Sequence, residues 1–251
     1  MNNLIFGIVV FIICLAGYYL SFRYHFRNNY KSSFILLIIC GAILRIYVGA
    51  DFYIHQWDES FHALVAKNIL QHPFVMTLYD NPVLPYDYKN WAANHIWLHK
   101  PPLPIWTIAS SMMLFGVNEF AVRLPSVIFS ILGIWLTYEI AKHFFNKRVA
   151  FISSFLFSIH GLVIEAATGR IGQDHVDTFF LFFIELAVFF SIRYVQKEKI
   201  IYTFLTGISI GAAILSKWLP ALIVLPIWLL IFLHSKKFST KFIFYHFLLI
   251  T

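Results

Sequence analysis

The run LIFGIVVFIICLAGYYLS, residues 4 to 21, carries no charged residue, and its length is close to the roughly 20 apolar residues that a helix needs to cross a ~30 Å hydrocarbon core. It puts the start of the chain in lipid. Outward from it come Arg23, Arg27 and Lys31, and then a second apolar run opens at residue 33. The alternation of apolar run and short basic cluster repeats, predicting spans at 4–21, 33–49, 121–141, 149–168, 178–195, 200–216 and 219–234. Composition agrees: 60% of residues are hydrophobic, 12% are charged and mean hydropathy is +0.74, against roughly 25% charged in a soluble domain. The fold class is therefore all-α transmembrane, a multi-pass helical bundle.

The formal charge of +7 does not point to nucleic acid, because the basic residues sit in short clusters between apolar runs rather than on one soluble face. Besides the first cluster there are Lys142, Lys147 and Arg148, then Arg193, Lys197 and Lys199, then Lys236, Lys237 and Lys241. All four occupy alternate loops, so the positive-inside rule makes those loops cytoplasmic and puts the N-terminus and the loop of residues 50 to 116 outside. Asp51, Asp58, Glu59, Glu119, Glu165, Asp174 and Asp177 then fall on or near the external side, with Lys100, Arg170 and Lys217. Cys14 and Cys40 lie inside spans and read as small apolar residues. The first run lacks a basic n-region and a cleavage site and is expected to remain as an anchor. The last, from Phe242 to Thr251, is too short to span, so residues 1–251 are read as a single module truncated at its C-terminus.

Within the external loop, residues 59 to 71 place Phe61, Leu64, Val65 and Ile69 on one helical face, which predicts an interfacial helix. Residues 104 to 115 are apolar but too short to cross and are expected to be juxtamembrane or re-entrant. Between them, residues 72 to 99 are rich in Pro, Tyr and Trp without helical period and predict a loop. Gly207 and Gly211 form a small-xxx-small pair that reads as close helix packing.

Three constellations could carry chemistry. In Trp57-Asp58-Glu59 the acids could simply cap a helix, or one could take a proton from an acceptor hydroxyl while the other orients acceptor or metal. Adjacent helical residues point about 100° apart, so the two are not expected to act as a close pair. In His99-Lys100-Pro101-Pro102 the lysine either snorkels at the interface or neutralises a departing phosphate. In Gly169-Arg170-Ile171-Gly172-Gln173-Asp174, with Asp177 nearby, an Arg–Asp helical pair is the bland reading and a phosphate and hydroxyl site the functional one. Arg123 and Lys217 each stand at a span end and read as interfacial anchors. Glu139 is expected to pair with Lys142 and His143, and Glu185, near the centre of a span, to face the bundle interior. His55, His62, His99 and His175 could ligate a divalent cation beside Asp58 or Asp174, but no spacing matches a dedicated metal motif. A metal, held by Asp58, His99 and Asp174, is allowed and not required.

The ordered set Asp58-Glu59, Lys100-Pro101-Pro102-Leu103, Leu114-Phe115-Gly116, Asn118-Glu119-Phe120 and Arg123-Leu124-Pro125-Ser126 resembles one family. Arg170 with Asp174, Phe179-Phe180, and Gly211 through Lys217 continue the match over most of residues 45 to 220. The chain is similar to the bacterial relatives of dolichyl-phosphate-mannose protein mannosyltransferases, including the lipid A aminoarabinose transferases. The resemblance implies a GT-C fold with interfacial helices in the first large external loop, and an inverting hexosyl or pentosyl transfer from a polyprenyl-phosphate sugar. No cofactor is required. On matching positions it implies Asp58 as base, with Glu59 beside it and Asp174 as a second site acid, and Lys100, Arg170 and Lys217 as donor-phosphate contacts. Three departures stand out: an additional first span, His99 where an acid often precedes the lysine, and Trp218 where glycine is common.

The expected partners are the donor lipid, a lipid, glycan or protein acceptor and the membrane, in a multi-pass plasma (inner) membrane protein whose site faces the external or periplasmic side. Readings from other classes are a non-catalytic polyprenyl-lipid binder or flippase, and a structural membrane subunit.

Overall fold

The computed structural model describes residues 2–170, 175–235 and 240–250. The first two runs form α1 (Asn2–Phe26) and α2 (Tyr30–Val48), packed side by side. The external loop folds into α3 (Asp58–Ile69) and α4 (Pro102–Phe115), and α5 (Glu119–Phe144) returns through the bundle. Each start has a local cause: Asn29 and Asn118 accept the N–H of Ser32 and Ala121 at the starts of α2 and α5, and Pro102 opens α4, where its missing N–H costs nothing. There follow α6 (Lys147–Ile159), α7 (Gly161–Ala167), α8 (His175–Lys197), α9 (Ile201–Lys217), a 3-10 turn over Leu219–Ile223, α10 (Val224–Ser235) and α11 (Thr240–Ile250).

Among the described residues, four helices are long and apolar enough to cross a membrane: Leu4–Phe26, Tyr30–Val48, Glu119–Phe144 and His175–Lys197. The span predicted at 149–168 is not continuous. It breaks at His160, where α6 and α7 bend by 56°, and the pair makes a fifth crossing if counted together. The runs at 200–216 and 219–234 form shorter apolar helices, the second interrupted by its 3-10 turn. Cys14 and Cys40 are buried and unbridged, as their apolar reading requires.

The external loop builds its own small core. Val65, Ala66 and Ile69 of α3 pack against Ile105, Ile108 and Met112 of α4 and Val122 of α5, with Leu78 and Trp97 closing it from the loop. The apolar face of α3 is thus covered by protein. The loop is irregular apart from a 3-10 turn at Trp91–Ala93 and a two-residue antiparallel bridge between Thr77 and Ile96. Asn68 secures it by donating to the carbonyls of Thr77 and Leu78.

The bundle has two chemically different ends. At one, Lys147 lies over the Tyr30 ring, His25 stacks on Phe151, and Glu139 accepts from Lys142 (2.8 Å) and Arg193 (3.1 Å), which draws three of the basic clusters together. His143 pairs with Gln196 there rather than with Glu139. Lys236 and Lys237, of the fourth cluster, lie outside the described residues. The other end gathers α3, the starts of α5 and α8 and the end of α9.

Between the ends Arg45 holds the break in place. Fully buried, it donates to Ser130 Oγ (2.7 Å), Gly41 O, Ser158 O (3.0 Å) and Phe157 O (3.3 Å), so one guanidinium joins α2, α5 and the end of α6. Arg45→Met orphans those acceptors, and at about 1.5–3 kcal/mol per hydrogen bond to a charged group the net loss is expected to be on the order of 3 kcal/mol. Reversible unfolding in mixed micelles measures it, and a loss below ~1 kcal/mol would be inconsistent with this role.

Candidate functional site

The end of the bundle that gathers α3 and the starts of α5 and α8 is organised by a buried carboxylate, Glu59. It continues the inward stripe of α3, since positions 59, 62, 66 and 69 share one face, and Glu59, His62, Ala66 and Ile69 are all buried. Its Oε1 accepts from Arg123 Nε at 2.6 Å, and its Oε2 accepts from Arg123 Nη2 (3.1 Å) and the His55 backbone N–H (2.6 Å), with His55 Nδ1 at 2.5 Å. His175 Nε2, at the start of α8, stands 3.5 Å from Oε1. Burial alone would push the Glu59 pKa up. His175 and Arg123, with the His55 backbone N–H, outweigh it and hold the carboxyl at about 2.

Arg123 is not an interfacial anchor. It is 1% exposed, and beyond Glu59 it donates to Gly49 O (3.1 Å), Asp51 O (2.7 Å) and Tyr53 O (2.5 Å). Its partner is 64 residues away in sequence, so no local pattern announces the pair. The one available signal is the spacing of Glu59 with His62, Ala66 and Ile69.

The network reaches the surface through His55, whose Nε2 lies 3.2 Å from Asp51 Oδ2. Asp51 in turn accepts from Arg170, with Nε at 2.9 Å and Nη2 at 2.8 Å. Arg170 therefore pairs with an aspartate 119 residues upstream. In the sequence Asp51 reads only as an external acid, without a part in the site. Ser126 ties in the rest by donating to Ala167 O (2.6 Å), with His175 Nδ1 at 3.1 Å. Gly169 is required at this crossing: its φ is +68°, and a Cβ would meet His175 Nε2 at 2.6 Å and Glu59 Cδ at 3.1 Å.

Two residues along α8 from His175, Asp177 forms a salt bridge with Lys217, at the end of α9. The structure thus brings Glu59, Arg170 and Lys217 to one end of the bundle. Asp58 opens α3 beside Glu59 and is half-buried, and Lys100, also half-buried, precedes α4. Asp174 lies outside the described residues. His99 stacks on Trp91 at 4.7 Å, and among the described residues no cluster of His, Cys, Asp or Glu could hold a metal ion.

Two tryptophans flank the site in backbone conformations that glycine favours, Trp57 at φ +68° before Asp58 and Trp218 at φ +59° after Lys217. Trp218, like Trp57, holds a backbone conformation with positive φ at a cost of order 1–3 kcal/mol.

A bundle of apolar helices whose long loop between α2 and α5 builds its own core, with a carboxylate–guanidinium anchor at the same end, defines a multi-pass membrane protein of GT-C fold. Residues 99–251 match the model of the dolichyl-phosphate-mannose-protein mannosyltransferase family, and the chain belongs to that family. A putative mannosyltransferase, YkcB, of Bacillus subtilis is 24% identical over 209 residues, covering 82% of this chain and 27% of its own. An undecaprenyl phosphate-alpha-4-amino-4-deoxy-L-arabinose arabinosyl transferase of Pseudomonas savastanoi is 31% identical over 150 residues, covering 55% of this chain and 27% of its own. The chain thus spans about a quarter of the length of these relatives. In fold it resembles the crystal structure of ArnT from Cupriavidus metallidurans in the apo state, with a TM-score of 0.61 and 17% identity over 88% of this chain and 40% of that one.

This geometry makes stability depend on pH. Glu59 is held from the ordinary 4.5 down to about 2, so its contribution is complete above pH ~4.5 and is lost as pH falls towards ~2, each pH unit in that window being worth about 1.4 kcal/mol. Thermal unfolding across that window should lose on the order of 3 kcal/mol in the wild type, and Glu59→Gln should remove most of the slope; an identical slope in the variant would refute the assignment. Gly169→Ala should cost at least ~1–2 kcal/mol, read in the same assay, and a neutral result would show that the crossing is not close.

Proposed function

We propose that the protein is a membrane glycosyltransferase that moves a hexosyl or pentosyl unit from a polyprenyl-phosphate donor to an acceptor hydroxyl, with inversion, on the non-cytoplasmic face of the inner membrane. The observation that carries this is the placement of two cations, Arg170 and Lys217, each paired with an aspartate and flanking the start of α8, at the end of the bundle where Asp58 opens α3. Family membership and the donor in the name of the arabinosyl transferase relative support the donor class.

In this mechanism the acceptor oxygen attacks the anomeric carbon while the bond from that carbon to the phosphate oxygen breaks. Asp58 takes the hydroxyl proton. The departing polyprenyl phosphate carries the bonding electrons, and Lys100, Arg170 and Lys217 stabilise its growing charge. Arg170 and Lys217 have side chains 39% and 44% exposed, so each can turn remaining N–H donors to a phosphate. Asp174 acts as a second site acid. Glu59, with both oxygens engaged by protein, is a positioning residue: it sets the first turn of α3 and hence the direction of Asp58. A divalent cation is not required, and the acceptor is a lipid, a glycan or a protein.

The test uses the full-length protein in proteoliposomes with defined polyprenyl-phosphate sugars and mass spectrometry of the product. Asp58→Asn should lower transfer by about 10²–10⁴-fold while leaving donor binding unchanged. Transfer at the wild-type rate would remove Asp58 as the base, and absence of product with every donor would leave a lipid binder in its place.

A further inference from the structure

A second feature lies inside the bundle, away from the Glu59 network. Glu185 stands on α8 eight residues beyond Asp177, about 12 Å along the helix. Thr137 donates to its Oε1 at 3.2 Å. Its Oε2 is buried and has no hydrogen-bond partner among the described residues. A carboxyl at mid-membrane costs on the order of 2.5–3.5 kcal/mol even before an oxygen is left unmatched, so that atom calls for a donor.

The space beside it is already formed. A cavity of about 150 Å³ runs between α5, the α6–α7 break and α8, with Glu185 in its wall and Asp177 also lining it. The bend at His160 and the absence of a side chain at Gly133 make the room, since a Cβ there would lie 3.0 Å from Phe157 Cζ and 3.5 Å from Glu185 Oε2. Phe129, Phe157 and Phe182 give the rest an apolar, aromatic surface. Leu162 and Leu181, 46% and 38% exposed, border it on an apolar face of the bundle.

Water is a poor occupant. The volume has room for several molecules, but each needs two to four polar partners, and the polar groups of the wall are confined to Ser130, Asp177, Thr178 and Glu185, with Ser130 Oγ also engaged by Arg45 and Asp177 by Lys217. One unmatched carboxyl oxygen at the end of an apolar pocket fits a molecule with one polar group, able to donate or accept, and a hydrocarbon body. We propose that this cavity binds a lipid-soluble hydrogen-bond donor, an alcohol or an amine, whose O–H or N–H meets Glu185 Oε2 while its hydrocarbon lies against the three phenylalanines.

Dicyclohexylcarbodiimide, which attacks carboxyl groups in apolar surroundings and leaves an N-acylurea carrying the whole reagent, reads the site directly. The full chain in phosphatidylcholine nanodiscs should acquire the adduct at Glu185, located by peptide mass spectrometry. Farnesol or dodecylamine at twice its dissociation constant should slow that labelling roughly threefold, by simple occupancy. Squalene, with no donor, should not. Thermal shift gives a second readout: farnesol should raise the midpoint of the wild type and leave Glu185→Gln and the cavity-filling Gly133→Leu unmoved. Absence of the adduct, equal protection by squalene, or an unchanged farnesol shift in Glu185→Gln would each overturn the proposal.

Discussion

The arrangement of the candidate site depends on one buried ion pair, Arg123 with Glu59. Its residues are 1% and 2% exposed, and desolvating two charges costs several kcal/mol per ion, which their attraction alone seldom offsets. What offsets it here is saturation. Arg123 satisfies the carboxylate through Nε and Nη2, and its Nη1 and Nη2 also donate to the backbone carbonyls of Gly49, Asp51 and Tyr53, where the chain leaves α2. The pair thus serves as the hydrogen-bond partner that the end of α2 and the following loop otherwise lack. A neutral pair of the same shape could fill the space but not supply those donors.

From that anchor the remaining geometry follows in steps. Fixing residues 49–53 fixes Asp51, and Asp51 fixes Arg170 from the far side of the bundle. Fixing Glu59 sets the phase of α3 and hence where Asp58 points. Contact with His175 brings in α8, which two residues later presents Asp177 to Lys217. Stretches of chain more than a hundred residues apart are held together by side chains of short reach.

How much of this is legible from sequence divides along the same line. Long apolar runs report themselves, because crossing hydrocarbon demands length and composition whatever the neighbours are; hence α1, α2, α5 and α8 fall where the runs do. The break at His160 does not, because the residues on both sides are equally apolar and what sustains it is Arg45 reaching over from α2. Asp58, Glu59, Arg170 and Lys217 also stand out in the sequence, as polar groups near the ends of apolar runs. Their partners do not. Arg123 looks like any cation at a span end until the carboxylate 64 residues upstream is seen beside it, and Asp51 looks like loop charge until Arg170 arrives. Trp218 is instructive in another way: its side chain departs from the glycine of the resembled family, yet its backbone adopts the left-handed conformation that explains why glycine suits the position.

The contrast between the two kinds of ion pair bears on what such a site can do. Removing one partner from a buried, saturated pair costs about 3–5 kcal/mol, so Arg123–Glu59 is closed to a ligand and serves as a fixed reference. Pairs such as Arg170–Asp51 and Lys217–Asp177 are partly exposed on the cationic side, and exposed pairs are worth about 0–1 kcal/mol. A phosphate, with more charge and more acceptor oxygens than one carboxylate, can compete for those cations at small cost. The aspartates then do more than neutralise: they hold flexible cationic side chains near the place where charge arrives, which lowers the ordering entropy that the ligand must overcome. Under the proposed function, a rigid pair deep in the wall and looser pairs at the mouth let the site keep its shape while an anionic lipid comes and goes.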